Sequence, residues 1–181
     1  PLSLVGSEMC IRDSSYTANE LASLTFDICV FTIPPPISTT TTLYSVDELV
    51  TDVLIDSECN QAFNVTYSTG SNFGSTNGIG YFEANGSSWP FENGLIMTSG
   101  DVANAAGPES GVLVDGDYSW PGDGDLEAFI PGLNAGDTNN ASVIEFDFVP
   151  VSNNISFDFI FAAEEYGTFQ CTFTDAFAFL L

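Results

Sequence analysis

Five carboxylates crowd the stretch from Asp115 to Glu127: Asp115, Asp117, Asp123, Asp125 and Glu127. Hard cations such as Ca²⁺ take six to eight oxygen ligands, and Asp-Gly-Asp turns bring carboxylates and backbone carbonyls together. The spacing is not that of an EF-hand, whose twelve-residue ladder ends in Glu. The competing reading is a solvated acidic loop. A second acidic group is Glu164, Glu165 and Asp175. Neighbours along a strand point to opposite faces, so Glu164 and Glu165 share one site only across a bulge. A glycosidase sets two carboxylates roughly 5–10 Å apart across a cleft, and either Glu with Asp175 could in principle form such a pair. The plainer reading leaves one Glu in structural hydrogen bonds or on a metal, and the other in water. Trp89 and Trp120 sit in loop-like sequence. They are either stacking platforms for sugar rings or packing plugs at the ends of the fold.

The elements that must hold these groups follow from hydrophobic period. Val46, Leu49, Val50, Val53 and Leu54 make one apolar stripe at helical spacing. Ser45 with Glu48 is a capping box, so one helix is predicted over Ser45 to Asp56, lying on a sheet. Phe63, Val65 and Tyr67 alternate. Gly78 to Glu83 and Gly94 to Ser99 look like further strands among Gly/Asn/Ser turns. Three terminal runs alternate most strongly. Ile144, Phe146 and Phe148 share one face, with Glu145 and Asp147 on the other. Ile155, Phe157, Phe159 and Phe161 oppose Asp158, and Phe177, Phe179 and Leu181 complete the set. On this reading Glu145, Asp147 and Asp158 share the wet face of adjacent strands, and the Phe-lined face seals against a second sheet. The predicted fold is all-β: an antiparallel, jelly-roll-like β-sandwich with one packed N-terminal helix.

Composition narrows the partners. Hydrophobic residues make up 44% of 181 and Phe alone contributes 16, so most of the chain has the means to bury a core. The formal net charge is −24, from 25 acidic residues against one basic and no His. That field repels nucleic acid and anionic membrane surfaces, and it favours cations, Ca²⁺ above all. The shortage of basic side chains also removes the usual clamps of a hydrolase. No stretch approaches the roughly 20 apolar residues of a membrane span, so no membrane insertion is expected.

Residues 1–14 hold the one basic side chain, Arg12, and the string VGSEMCIRDS. That string resembles a translated sequencing-adapter artefact, and it is set aside from fold reasoning. Residues 15–42 form an unassigned segment and a Pro/Thr-rich linker, with the domain expected over 43–181. The strand pattern is still running at Leu181, so truncation at the C-terminus is expected.

Several pieces taken in order resemble the choice-of-anchor L domain family. They are YSVDELVTDVLI, the Cys59-Asn60 step into NVTYSTG, IGYFEANGSSWPFENGLIMTSGDVANAAGPESG, GDGDLEAFIPG, SVIEFDFVP and FDFIFAAEEYGTFQCTFTDAFAF. The FxFxFAxEEY block with the following Cys and D-x-F-x-F run is the most specific. The resemblance implies a secreted bacterial module, extracellular or cell-surface, without known catalysis. Its partners would be cell-surface or extracellular matrix components, glycans among them. Cys59 and Cys171 occupy family-like positions, and a secreted protein would oxidise them to a disulfide; two separate buried thiols are the alternative. The runner-up function is a Ca²⁺-dependent carbohydrate-binding module appended to a larger enzyme.

Overall fold

Ser45 opens the predicted helix for a local reason. Its hydroxyl accepts the Glu48 N–H at 3.3 Å while the Glu48 carboxylate accepts the Ser45 N–H at 2.7 Å. Two orphan amide donors of the helix start are thereby satisfied. The computed structural model describes residues 37–56, 62–107, 111, 113, 115–150, 153, 156–163, 169 and 172–181. In it α1, Val46–Glu48, passes directly into wide turns over Leu49–Leu54, where the Ile55 N–H reaches the Val50 carbonyl five residues back at 3.0 Å. β-branched Val50, Thr51 and Val53 crowd a tight α turn. The wider winding still delivers the stripe: Leu49 and Val50 are fully buried, packed toward β2, Ala62–Ser68, and β4, Asn93–Met97.

The strands form two antiparallel sheets. β1, Ser38–Thr40, β3, Ile79–Glu83, and β4 make one, in the order β1-β3-β4. β2 and β5, Val143–Phe148, make the other. β1 lies in sequence expected to be linker. Its STT offers no apolar alternation; backbone pairing to Tyr81, Phe82 and Glu83 holds it, beside buried Ile37. The core is Ile37, Leu49, Val50, Ala62, Ile79, Phe82, Ala84, Val102 and Trp120. The fold is therefore β-rich and antiparallel with short helices, and among the described residues its sheets are open.

Two terminal expectations change. β5 pairs with β2, eighty residues earlier in the chain, and not with the segment that follows it. Glu145 and Asp147 consequently face donors rather than Asp158. Thr66 Oγ1 donates to Glu145 at 3.3 Å and Asn64 Nδ2 donates to Asp147 at 2.8 Å. Asn64 reaches across because a bulge between Phe63 and Thr66 puts it at φ 55°. Residues 156–163 and 172–181 lie in no ladder, yet their rings meet in antiparallel order. Phe157 stacks on Phe179 at 4.9 Å, and Phe159 and Phe161 meet Phe177 at 5.0 and 5.2 Å. The sealed inner face does not follow: Phe159 is 55% and Phe179 57% exposed. Among the described residues the rings meet one another along one face and no further sheet covers them, so each stays partly exposed.

Candidate functional site

Each sheet ends in a hydroxyl residue at the same place. Thr69 follows β2, Ser142 precedes β5, and Thr98 follows β4, while Gly78 precedes β3. The Gly78 N–H donates to Thr69 Oγ1 at 2.8 Å. Ser142 Oγ donates to the Thr98 carbonyl at 2.7 Å. Ser142 has a single hydroxyl proton, so in its 3.0 Å contact with Thr69 the threonine is the donor. The direction is fixed throughout: Gly78 N–H to Thr69, Thr69 to Ser142, Ser142 to the Thr98 carbonyl. This relay crosses from one sheet to the other. Thr69 is fully buried, and the Thr98 N–H returns to the Gly78 carbonyl at 2.8 Å. A fully paired buried network of this kind fixes one arrangement, because an unpaired member would be costly. A Cβ on Gly78 would collide with the Ser142 hydroxyl and the Thr98 carbonyl, so close backbone approach requires glycine there.

Trp120 and Asn140 close the node from the loop side. Trp120 is 3% exposed, its indole N–H donates to the Ala141 carbonyl at 2.9 Å, and its ring lies on Gly70. Asn140 accepts the Tyr118 N–H at 3.0 Å and donates to the Gly116 carbonyl at 3.2 Å. Those bonds pin the left-handed turn at Asp117 and Tyr118, φ 42° and 55°. The whole segment from Thr98 to Ser142 is thus rooted at both ends. Trp89 lies elsewhere, half-buried in the hairpin loop between β3 and β4 at the far end of that sheet. Five-residue strands span about 16 Å, so the two tryptophans do not form one stacking platform. Trp120 is a packing plug.

The acidic residues of this loop mostly act singly. Asp115 accepts from Asn104 Nδ2 at 2.7 Å. Asp123 caps α2, Gly124–Phe129, by accepting the Asp125 and Leu126 N–H groups at 2.9 and 3.1 Å. Asp125 and Glu127 lie in the first turn of α2, where the N–H ends favour negative charge. Glu127 reaches across the loop. One oxygen accepts the Gly136 N–H at 2.9 Å; the other accepts the Thr138 N–H at 2.9 Å and its hydroxyl at 2.7 Å. Among the described residues no group of three or more Asp, Glu, Cys or His side chains is gathered to hold a metal ion. Asp175 lies in the segment 172–181. Glu164, Glu165, Cys59 and Cys171 lie outside the described residues.

The Thr138 and Gly136 bonds favour the ionised form and hold the Glu127 carboxyl below its ordinary 4.5. A depressed folded-state pKa gives stability that is present above the unfolded value and is lost as pH falls through the folded one. Glu127→Gln should therefore be less stable than the parent at neutral pH. That difference should shrink steadily as pH falls below 4.5, where the parent's own carboxyl gains its proton. Urea titrations of both proteins at stepped pH check this; a difference independent of pH would remove the charge from the account.

Sequence reasoning missed Thr69, Gly78, Thr98, Asn140 and Ser142. One signal was available: two strands each run into Thr within a short Gly-containing turn, as YSTG and MTSG.

The described residues thus form a β-rich frame that carries a long acidic loop, tied down where the two sheets meet. The family model of the choice-of-anchor L domain matches residues 37–181, and the chain belongs to that family. No curated protein and no solved structure matches it. Family membership makes this a surface-associated bacterial module, and domains of the family are generally non-enzymatic. No helix among the described residues is long and apolar enough to cross a membrane.

Proposed function

We propose that the chain is a non-catalytic extracellular module of a bacterial cell-surface or secreted protein, serving adhesion or surface architecture. On this reading the two sheets belong to a β-sandwich that displays an acidic loop to cell-surface or extracellular matrix components. The supporting observation is the rooting of the loop's ends on buried Trp120 and Asn140 and half-buried Ser142. A loop held this way loses little further freedom on binding, which is where preordered surfaces gain affinity. Ca²⁺ has a proposed part through charge: a formal −24 is relieved by any divalent cation. The second reading, a Ca²⁺-dependent carbohydrate-binding module, rests on Trp89, which is partly exposed in the β3–β4 loop.

One array experiment separates them. The domain and its Trp89→Ala variant are applied to glycans and matrix proteins in Ca²⁺, in Mg²⁺ and in chelator. The adhesion reading expects binding that survives Trp89→Ala and responds alike to both cations. Glycan binding lost with Trp89 and restored by Ca²⁺ alone would move the conclusion to the second reading. Silence on every surface would overturn adhesion.

A further inference from the structure

Three Asn-Gly steps occur in this chain: Asn77-Gly78, Asn85-Gly86 and Asn93-Gly94. Such steps are open to a single chemistry. The glycine nitrogen, having given its proton to a base, attacks the asparagine side-chain amide carbon. A C–N bond forms, the amide nitrogen leaves as ammonia, and a five-membered succinimide remains. Water then opens the ring at either carbonyl, giving aspartate or isoaspartate. One water is consumed, one ammonia is released, and no oxidant is needed.

The fold treats the three steps differently. At Asn77-Gly78 the attacking N–H is the one bonded to buried Thr69 Oγ1, and Gly78 has no room to move. At Asn93-Gly94 the step lies in β4. The Ala84 N–H to Glu92 carbonyl bond and the Thr98 N–H to Gly78 carbonyl bond fix the ladder's alternation. That alternation makes Phe82 and Gly94 a hydrogen-bonded pair, so the Gly94 N–H is engaged. The Phe82 ring also lies against Gly94. At Asn85-Gly86 both residues are exposed in a tight turn, at φ 51° and 72°, closed by the Ser87 N–H to Ala84 carbonyl bond at 2.8 Å. No described acceptor takes the Gly86 N–H, and nothing lies within 4 Å of where its Cβ would be. Ser38 Oγ donates to Asn85 Oδ1 at 3.3 Å, which draws charge toward the oxygen that becomes negative during attack.

We infer that Asn85-Gly86 is a spontaneous modification site, converting to aspartyl and isoaspartyl forms while the other two steps are held inert by the fold. The consequence falls on β1. Isoaspartate adds a methylene to the main chain inside the turn, shifting the side chain to which Ser38 is tied. The three-residue strand β1 then loses the Ser38 tether to that turn.

The test is peptide mapping by mass after incubation of the folded domain at mildly alkaline pH. A Glu-specific protease is needed, since the chain has one basic residue. In the folded protein Asn85 should convert at least about tenfold faster than Asn77 or Asn93, because those need a local opening first. In denaturant the three should converge to similar rates. Asn85→Gln should abolish conversion at that step and leave the other two unchanged. Folded-state rates at Asn77 or Asn93 equal to Asn85, or an inert Asn85 where the denatured chain reacts, would overturn the inference.

Discussion

Trp120→Ala should destabilise the domain by about 3–5 kcal/mol, a large part of the roughly 5–15 kcal/mol available to a domain of this size. The ring is 3% exposed and is the largest aromatic in the core. Its removal opens a cavity over Gly70, whose Cβ-free face the indole covers. It also orphans the Ala141 carbonyl, which accepts the indole N–H at 2.9 Å. Neighbouring backbone cannot collapse into the space, because the Asn140 N–H bonds the Trp120 carbonyl and the Ala141 N–H bonds the Pro121 carbonyl. Trp120→Phe keeps most of the volume and loses the donor, so it should cost clearly less. Urea denaturation followed by far-ultraviolet dichroism measures all three proteins. A Trp120→Ala variant within about 1 kcal/mol of the parent would make the residue an ordinary surface aromatic.

Thr69→Val should cost about 2–4 kcal/mol although the two side chains have nearly the same shape. The loss is one oxygen, and two partners depend on it. The buried Gly78 N–H is left without an acceptor, and Ser142 loses the proton it accepts. Each orphaned buried group costs about 1–3 kcal/mol, while a matched hydrogen bond contributes less than that on balance. Thr69→Ser retains the oxygen and gives up a methyl group, so it should recover most of the loss. The comparison of Val with Ser separates the relay from packing. Equal destabilisation by both would assign the site's value to the methyl group alone.

The parts of this fold that were legible in the sequence are those built from near neighbours. Ser45 and Glu48 stand three residues apart and meet as a capping box. β2 and β5 carry their alternation within a few residues, and β3 and β4 are short apolar runs bounded by Gly/Asn/Ser turns, so each appears close to where it was expected. β1 carries neither pattern, and pairing to β3 alone makes it a strand. The partner of β5 was not legible, because alternation states which face is apolar and not which edge is paired. The relay was less legible still: Thr69 and Ser142 are 73 residues apart, and their hydroxyls look like any loop hydroxyls. The roles of the acidic stretch were not legible for a related reason. Sequence counts carboxylates, but Asp115, Asp123 and Glu127 turn to separate N–H donors in the fold. Trp120 could be read either as sugar platform or as plug until its burial was seen.

The unequal treatment of amides along this chain has one source. Where the two sheets meet, the groups of the relay are buried or half-buried and paired; at the far hairpin the Asn85-Gly86 step is exposed. Amide hydrogen exchange of the folded domain measures that contrast directly. The Gly78 and Asn140 amides and the Trp120 indole should exchange only with global unfolding, while the Gly86 amide should exchange at nearly the rate of an open chain. Fast exchange at Gly78 and Asn140, matching Gly86, would contradict the claim that a buried relay joins the sheets and roots the loop.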